Sequence, residues 1–196
     1  MKLISVAAMA LMAAAPAFAV PVLSINFEKT WSYGEAVDST YGADGVTFTN
    51  VIGFSNDGVS VGYANAPSMQ GVAYVQLDGV VNTAAFMNVG AGVEHGLSFY
   101  YSSSTALSGA VKAYSGLNGG GTLLGSINLA ANDGGAFDSW TRKTLSFSGT
   151  AMSFDLTGMN GAAALDNISA VPEPETYAMM IVGLLAIGFV ARRSQS

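Results

Sequence analysis

Few side chains in this chain are equipped for covalent chemistry. His95 is the only histidine and there is no cysteine, so thiol catalysis, thiolate metal sites and multi-histidine metal centres are excluded. A catalytic triad would need His95 beside both a serine and a carboxylate. In Gly92-Val93-Glu94-His95-Gly96 the plainer reading is a solvated loop position just before a strand. No Gly-x-Ser-x-Gly elbow occurs. Glu94-His95 is not a zinc-protease helix motif, and Gly119-Gly120-Gly121 lacks the Lys-Ser/Thr of a phosphate loop. Carboxylates abound, but a glycosidase needs two of them at a set separation across a cleft, and nothing here selects a pair. Binding chemistry is better served. A flat apolar ring matches the C–H face of a pyranose, and Trp31-Ser32-Tyr33-Gly34, in the expected loop after the first strand, offers Trp31 and Tyr33 as sugar-stacking residues. Thr47-Phe48-Thr49 is a lone T-x-T. An ice-binding face needs such threonines in a repeated flat array, and the chain has no such repeat.

The charge balance narrows the partners. In residues 20–171 the strong bases are Lys29, Lys112, Arg142 and Lys143. Against them stand Glu28, Glu35, Asp38, Asp44, Asp57, Asp78, Glu94, Asp133, Asp138, Asp155 and Asp166, for a net charge of −7. Such a surface argues against nucleic acid or anionic lipid, whose phosphates need neutralising cations. Without cysteine an exported chain has no disulfide framework, so stability rests on the core or on a bound ion.

The elements that must position these residues read as strands. Segments rich in Val, Ile, Phe, Tyr and Thr recur at 22–28, 46–51, 59–63, 71–77, 80–87, 96–101, 110–115, 123–129, 140–147, 151–157 and 164–170, with Gly, Asn, Asp and Ser between them. In Leu97-Ser98-Phe99-Tyr100-Tyr101 the odd positions are all large and share one face, which suits a core. Turn signals such as Asn118-Gly119-Gly120-Gly121 and Asn132-Asp133-Gly134-Gly135 are dense. Many short antiparallel strands with glycine-rich turns predict an all-β fold, an antiparallel β-sandwich of jelly-roll type over 20–171.

Both ends read differently from the body. Met1-Lys2, the apolar run from Leu3 to Ala15 and the small-x-small site Ala17-Phe18-Ala19 form a secretory signal peptide over 1–19, cut after Ala19. At the other end, Pro172-Glu173-Pro174 is expected to be extended and accessible, because proline restricts its own φ, constrains the preceding residue and lacks an N–H. An unbroken apolar run over 177–191 follows, then Arg192 and Arg193. At about 1.5 Å per residue the run spans roughly 23 Å, short of a hydrocarbon core of about 30 Å. It predicts a marginal transmembrane helix with the arginines on the cytoplasmic side.

Residues 172–196, with Pro172, Glu173, Pro174, Arg192 and Arg193 in this order, resemble the PEP-CTERM sorting signal of Gram-negative bacteria. The resemblance implies recognition by an exosortase, a membrane cysteine transpeptidase. It implies a precursor exported by the Sec pathway, anchored in the inner membrane with its body in the periplasm, then released to the cell surface or an exopolysaccharide (biofilm) matrix. The same tail type occurs on some proteins labelled ice-binding. Residues 97–168, through Ala110-Val111-Lys112-Ala113-Tyr114-Ser115, the glycine-rich loop from Leu117, Trp140 and Ala164-Leu165-Asp166-Asn167-Ile168, resemble galactose-binding-like and carbohydrate-binding jelly-roll modules. That second resemblance implies a non-catalytic body that contacts sugar. It also implies a structural Ca²⁺ where the first and last strands lie side by side, with Glu28, Asp166 and Asn167 as ligands. The expectation is a non-enzymatic surface or matrix protein. The alternatives are a carbohydrate-binding module and, more distantly, an ice-binding protein or a secreted hydrolase.

Overall fold

The computed structural model describes residues 23–56, 62–75, 83–171 and 183–185. Nine strands follow in chain order: β1 (Ser24–Ile25), β2 (Val46–Thr49), β3 (Ile52–Ser55), β4 (Gly71–Tyr74), β5 (Phe86–Ser103), β6 (Leu107–Tyr114), β7 (Leu123–Leu129), β8 (Thr141–Asp155) and β9 (Ala163–Ala170). All pairings are antiparallel, in the order β3-β4-β9-β5-β8-β6-β7, with β1 on β9 and β2 on β5. The all-β antiparallel expectation is met.

Two long strands make the layers. The first part of β5 lies between β2 and the end of β8, and its last part lies between β9 and the start of β8. Register shifts between Asn88 and Val93 and between Glu94 and Gly96 separate the two parts. Bulges of this kind let a strand bend out of one sheet into another. They explain why β5 joins the last two residues of one predicted strand, 80–87, to the whole of another, 96–101, and why β8 joins most of 140–147 to most of 151–157. Glycine and polar residues at 90–96 and 148–150 look like turns in the sequence but here carry a bend. His95 is therefore not in a loop before a strand; it sits at the bend inside β5 with φ +66°.

The main core is filled from both parts of the ribbon. Leu97, Phe99 and Tyr101 of β5 join Leu145 and Phe154 of β8, Leu165 and Ile168 of β9, and Phe27 and Val46. A second cluster of Ile52, Phe54, Tyr63 and Val72 lies on the opposite face of β3 and β4, with Tyr74, Phe137 and Trp140 packed against it. The loops over that cluster are tied together. Trp140 Nε1 donates to Ala64 O at 3.0 Å, and Asn65 Nδ2 donates to Asp138 O at 3.0 Å. Asp133 organises the loop before β8. Its carboxylate accepts the backbone N–H groups of Gly135, Phe137 and Asp138 at 2.6, 3.0 and 3.0 Å. Partial burial works against its charge, but those N–H donors outweigh it and hold the carboxyl at about 2.

Trp31 is a correction to the sequence reading. It lies in the loop after β1 as expected, but it is only 2 % exposed and belongs to the core. Its indole lies over Gly53 and Gly71, where an added Cβ would run into the ring. Its Nε1 donates to Phe27 O at 3.0 Å, and its backbone N–H donates to Ser55 Oγ at 2.6 Å. The indole thus satisfies its one donor inside the fold, as buried tryptophans do. Lys29 covers the ring at 4.4 Å from the centroid and pairs with Glu35.

The predicted signal peptide with Ala17 and Ala19, the motif Pro172, Glu173 and Pro174, and Arg192 and Arg193 lie outside the described residues. So does the apolar run except for 183–185, which are helical with Leu184 and Leu185 exposed. Among the described residues no helix is long and apolar enough to cross a membrane.

Truncating Trp31 to alanine opens a large cavity over two glycines. The expected loss of unfolding free energy is about 3–5 kcal/mol, read from urea unfolding of the purified chain. A loss below about 1 kcal/mol would show the loop packs independently of this side chain.

Candidate functional site

The first and last strands do lie side by side. Ser24 pairs with Ser169 and Ile25 with Ile168, so residues 26–28 leave β1 beside the middle of β9. Ile25, Leu165 and Ile168 face the core, which turns Asp166 to the other side of β9, opposite Tyr100 of β5. One extra residue on β9 makes a bulge there, and Asn167 takes a left-handed φ of +46°, which asparagine tolerates better than most residues.

The three predicted ligands converge on one short segment, 68–70. Asp166 Oδ2 accepts the Ser68 N–H at 2.6 Å, Asn167 Oδ1 accepts the Ser68 hydroxyl at 3.0 Å, and Glu28 Oε1 accepts the Gln70 N–H at 2.8 Å. Asp166 Oδ1 accepts the N–H of Asn167 at 2.7 Å. Ser68 and Gln70 were invisible as partners in the sequence, because they lie 98 and 42 residues from the acids they meet. Asp166 is fully buried, and burial lifts its carboxyl to about 6 in spite of the donors from Ser68 and Asn167; the charge of Glu28 adds to the rise. Asp166 thus has a second carboxylate, Glu28, as a charged neighbour, while each of its own oxygens already accepts a backbone N–H. Among the described residues no group of three or more His, Cys, Asp or Glu forms a metal site by itself. Any further ligands would be amide, backbone or water oxygens.

The predicted stacking pair is split. Trp31 is buried, whereas Tyr33 is 68 % exposed. Another aromatic, Tyr100, lines a shallow cavity of about 270 Å³ with Ser24, Arg142, Asn167, Ile168 and Ser169. Tyr100 and Arg142 are directly opposite each other on β5 and β8, and so share a face. Strict alternation in 97–101 marks Tyr100 as facing away from the core, but the neighbours it meets depend on strand order. His95 and Glu94 do not reach this cavity's lining; Glu94 accepts the Thr150 hydroxyl at 2.9 Å.

Comparison with known proteins finds that residues 170–194 match the PEP-CTERM protein-sorting motif. The motif marks an exported protein with a C-terminal sorting signal, processed by an exosortase for the cell surface or beyond. No curated protein matches the chain. Among solved structures the chain is similar to a carbohydrate-binding module, CsCBM6-3, from Clostridium stercorarium in complex with cellobiose. That likeness has 14 % identity and a TM-score of 0.44, over 77 % of this chain and 94 % of that one. It is similar to a cleaved adhesin domain of Lys-gingipain from Porphyromonas gingivalis, with 17 % identity, a TM-score of 0.45, and coverage of 78 % and 98 %. It is also similar to CBM35 from Paenibacillus barcinonensis, with 16 % identity, a TM-score of 0.41, and coverage of 77 % and 99 %.

The raised Asp166 carboxyl gives a pH signature. Its folded value of about 6 lies above the ordinary 3.8. Its contribution to stability is therefore fully present below about pH 4 and lost as pH rises through 6. In chelator-treated buffer the thermal midpoint should rise as pH falls from 7 to 5, and Asp166→Asn should flatten that slope. Equal slopes in the two proteins would show that Asp166 does not titrate there.

Proposed function

We propose that this chain, bearing a PEP-CTERM motif at 170–194, is a Sec-exported precursor whose tail an exosortase cuts. On this reading its β-sandwich body then acts outside the cell, without catalysis, as a component of a surface or exopolysaccharide matrix that it contacts through sugar. The observation that carries this is the motif itself, placed directly after β9. The backbone N–H of Val171 still donates to Gly96 O at 2.9 Å, so the ordered body runs up to the residue before the Pro-Glu-Pro unit. On this reading 1–19 is a signal peptide cut after Ala19. The run 177–191 holds the precursor in the inner membrane, with Arg192 and Arg193 in the cytoplasm. A non-catalytic body is supported by where the fold sends its acids: Glu28 and Asp166 fasten 68–70, and Asp133 fastens the loop before β8. Those three carboxylates are thereby used inside the fold and not across a cleft in the manner of a glycosidase.

The experiment follows the tagged chain in a host that carries an exosortase. The native protein should appear outside the cell as a shortened species. With Pro172, Glu173 and Pro174 all changed to alanine it should stay at precursor size in the membrane fraction. Release of that variant at normal size and yield would overturn the reading.

A structural Ca²⁺ belongs to the same proposal, with Glu28, Asp166 and Asn167 as its side-chain ligands. The supporting observation is the full burial of Asp166 beside Glu28. Ca²⁺ at a hundredfold excess over its Kd should raise the thermal midpoint by roughly 5–10 °C, and chelator should reverse the rise. An unchanged midpoint in the native protein would remove the ion from the proposal.

A further inference from the structure

We infer that the outer face of β1, β9, β5 and β8 is a binding site for a carboxylated sugar, a uronic acid residue within an extracellular polysaccharide. Tyr100 is the platform for the ring and Arg142 the fork for the carboxylate. The inference rests on the polysaccharide contact proposed above and names its chemical class and its place.

Strand register builds the site. Ser24 pairs with Ser169, Ser169 with Ser98, and Ser98 with Thr144. Directly opposed residues share a face, so four hydroxyl side chains form a row across four strands. Tyr100 and Arg142 form the next pair along β5 and β8 on that same face, two residues on from Ser98 and Thr144. The cavity between them, about 270 Å³, is below the size of a drug-binding pocket and suits one sugar ring. Tyr100 is partly exposed there, and Asn167 reaches the lining from the β9 bulge. Since Asn167 Oδ1 is taken by the Ser68 hydroxyl, its amide Nδ2 is left as a donor with no partner among the described residues.

Charge selects the carboxylate. Of the four cationic side chains between 20 and 171, Lys29 pairs with Glu35, Lys112 lies 3.6 Å from Asp155, and Lys143, opposite Phe99, is on the other face of β8 from Arg142. Arg142 pairs with no acid among the described residues. Its Nε donates to Ser98 Oγ at 2.8 Å, which orients the guanidinium and leaves its terminal nitrogens without a described partner. An oriented guanidinium binds a planar carboxylate through two parallel hydrogen bonds. In a body of net charge −7, Arg142 is the one cation among the described residues that line this cavity, so a dianion would find no second cation there. Asp166, opposite Tyr100, does not fill the role of a partner for Arg142. Its oxygens accept from Ser68 and Asn167.

The test is affinity electrophoresis of the full-length chain in detergent, through gels containing alginate, sulfated dextran or neutral dextran. Alginate, a polyuronate, should retard the native protein, and the other two should not. Arg142→Gln and Tyr100→Ala should each weaken alginate binding roughly tenfold or more. Arg142→Lys, which keeps the charge and loses the fork, should remain weak. Thermal midpoints close to native will show that the variants fold. Alginate binding untouched by Arg142→Gln, or equal retardation by sulfated dextran, would overturn the site. Retardation by neutral dextran in place of alginate would overturn the acidic-sugar assignment while leaving the polysaccharide reading standing. Loss of retardation with every polymer would take down both.

Discussion

The last strand of the body is an interior strand, and most of the structure depends on that. β9 lies between β5 on one side and β4 and β1 on the other. Neither sheet edge is closed by it; it joins two portions of the chain that are otherwise apart. The backbone pairs made by 163–170 therefore form only after almost the whole body has been made. Non-local pairings of this kind must meet their loop-closure cost before they contribute stability. In a chain whose next residues carry a sorting motif, the strand that completes the fold is also the one nearest the tail.

β9 also brings the polar chemistry to one place. Its core-facing residues, Leu165 and Ile168, anchor it in the apolar interior, and the intervening bulge turns Asp166 and Asn167 toward 68–70. Burying a carboxylate is costly unless its oxygens are satisfied. Here two backbone N–H groups satisfy them in part, and the residual cost appears as a carboxyl raised to about 6. Asp133 shows the opposite balance. Less buried and bound by three N–H groups, it is held at about 2. The two acids are of one residue type, and their surroundings alone set them apart.

The same strand order gives the outer face its character. A row of hydroxyls with one aromatic ring and one arginine arises because β1, β9, β5 and β8 are neighbours, although they come from distant parts of the chain. Most other large aromatics among the described residues are used for packing, Tyr33 being an exception. Trp31 fills the space left by Gly53 and Gly71, and Phe137 and Trp140 cover the outer face of β3 and β4.

What the sequence determined by itself was whatever depends on local order. The Pro-Glu-Pro unit, the apolar run and the arginine pair are contiguous, and their reading as a sorting motif needs no folding. Period-two alternation, as in 97–101, made the strand class and the inward residues legible, because successive side chains in a strand face opposite ways. It could not show that 86–103 and 141–155 are single bent strands, since a bulge and a turn draw on the same glycine and polar residues. Nor could it show that Trp31 is buried. That burial depends on two glycines, one 22 and the other 40 positions away, leaving room for an indole. Glu28, Asp166 and Asn167 could be named from the sequence through a resemblance, but Ser68 and Gln70 could not, and neither could the facing of Tyr100 and Arg142. Those contacts follow from which strands become neighbours. Strand order is set by how the whole set of apolar faces is buried at once, and no window of the sequence contains it.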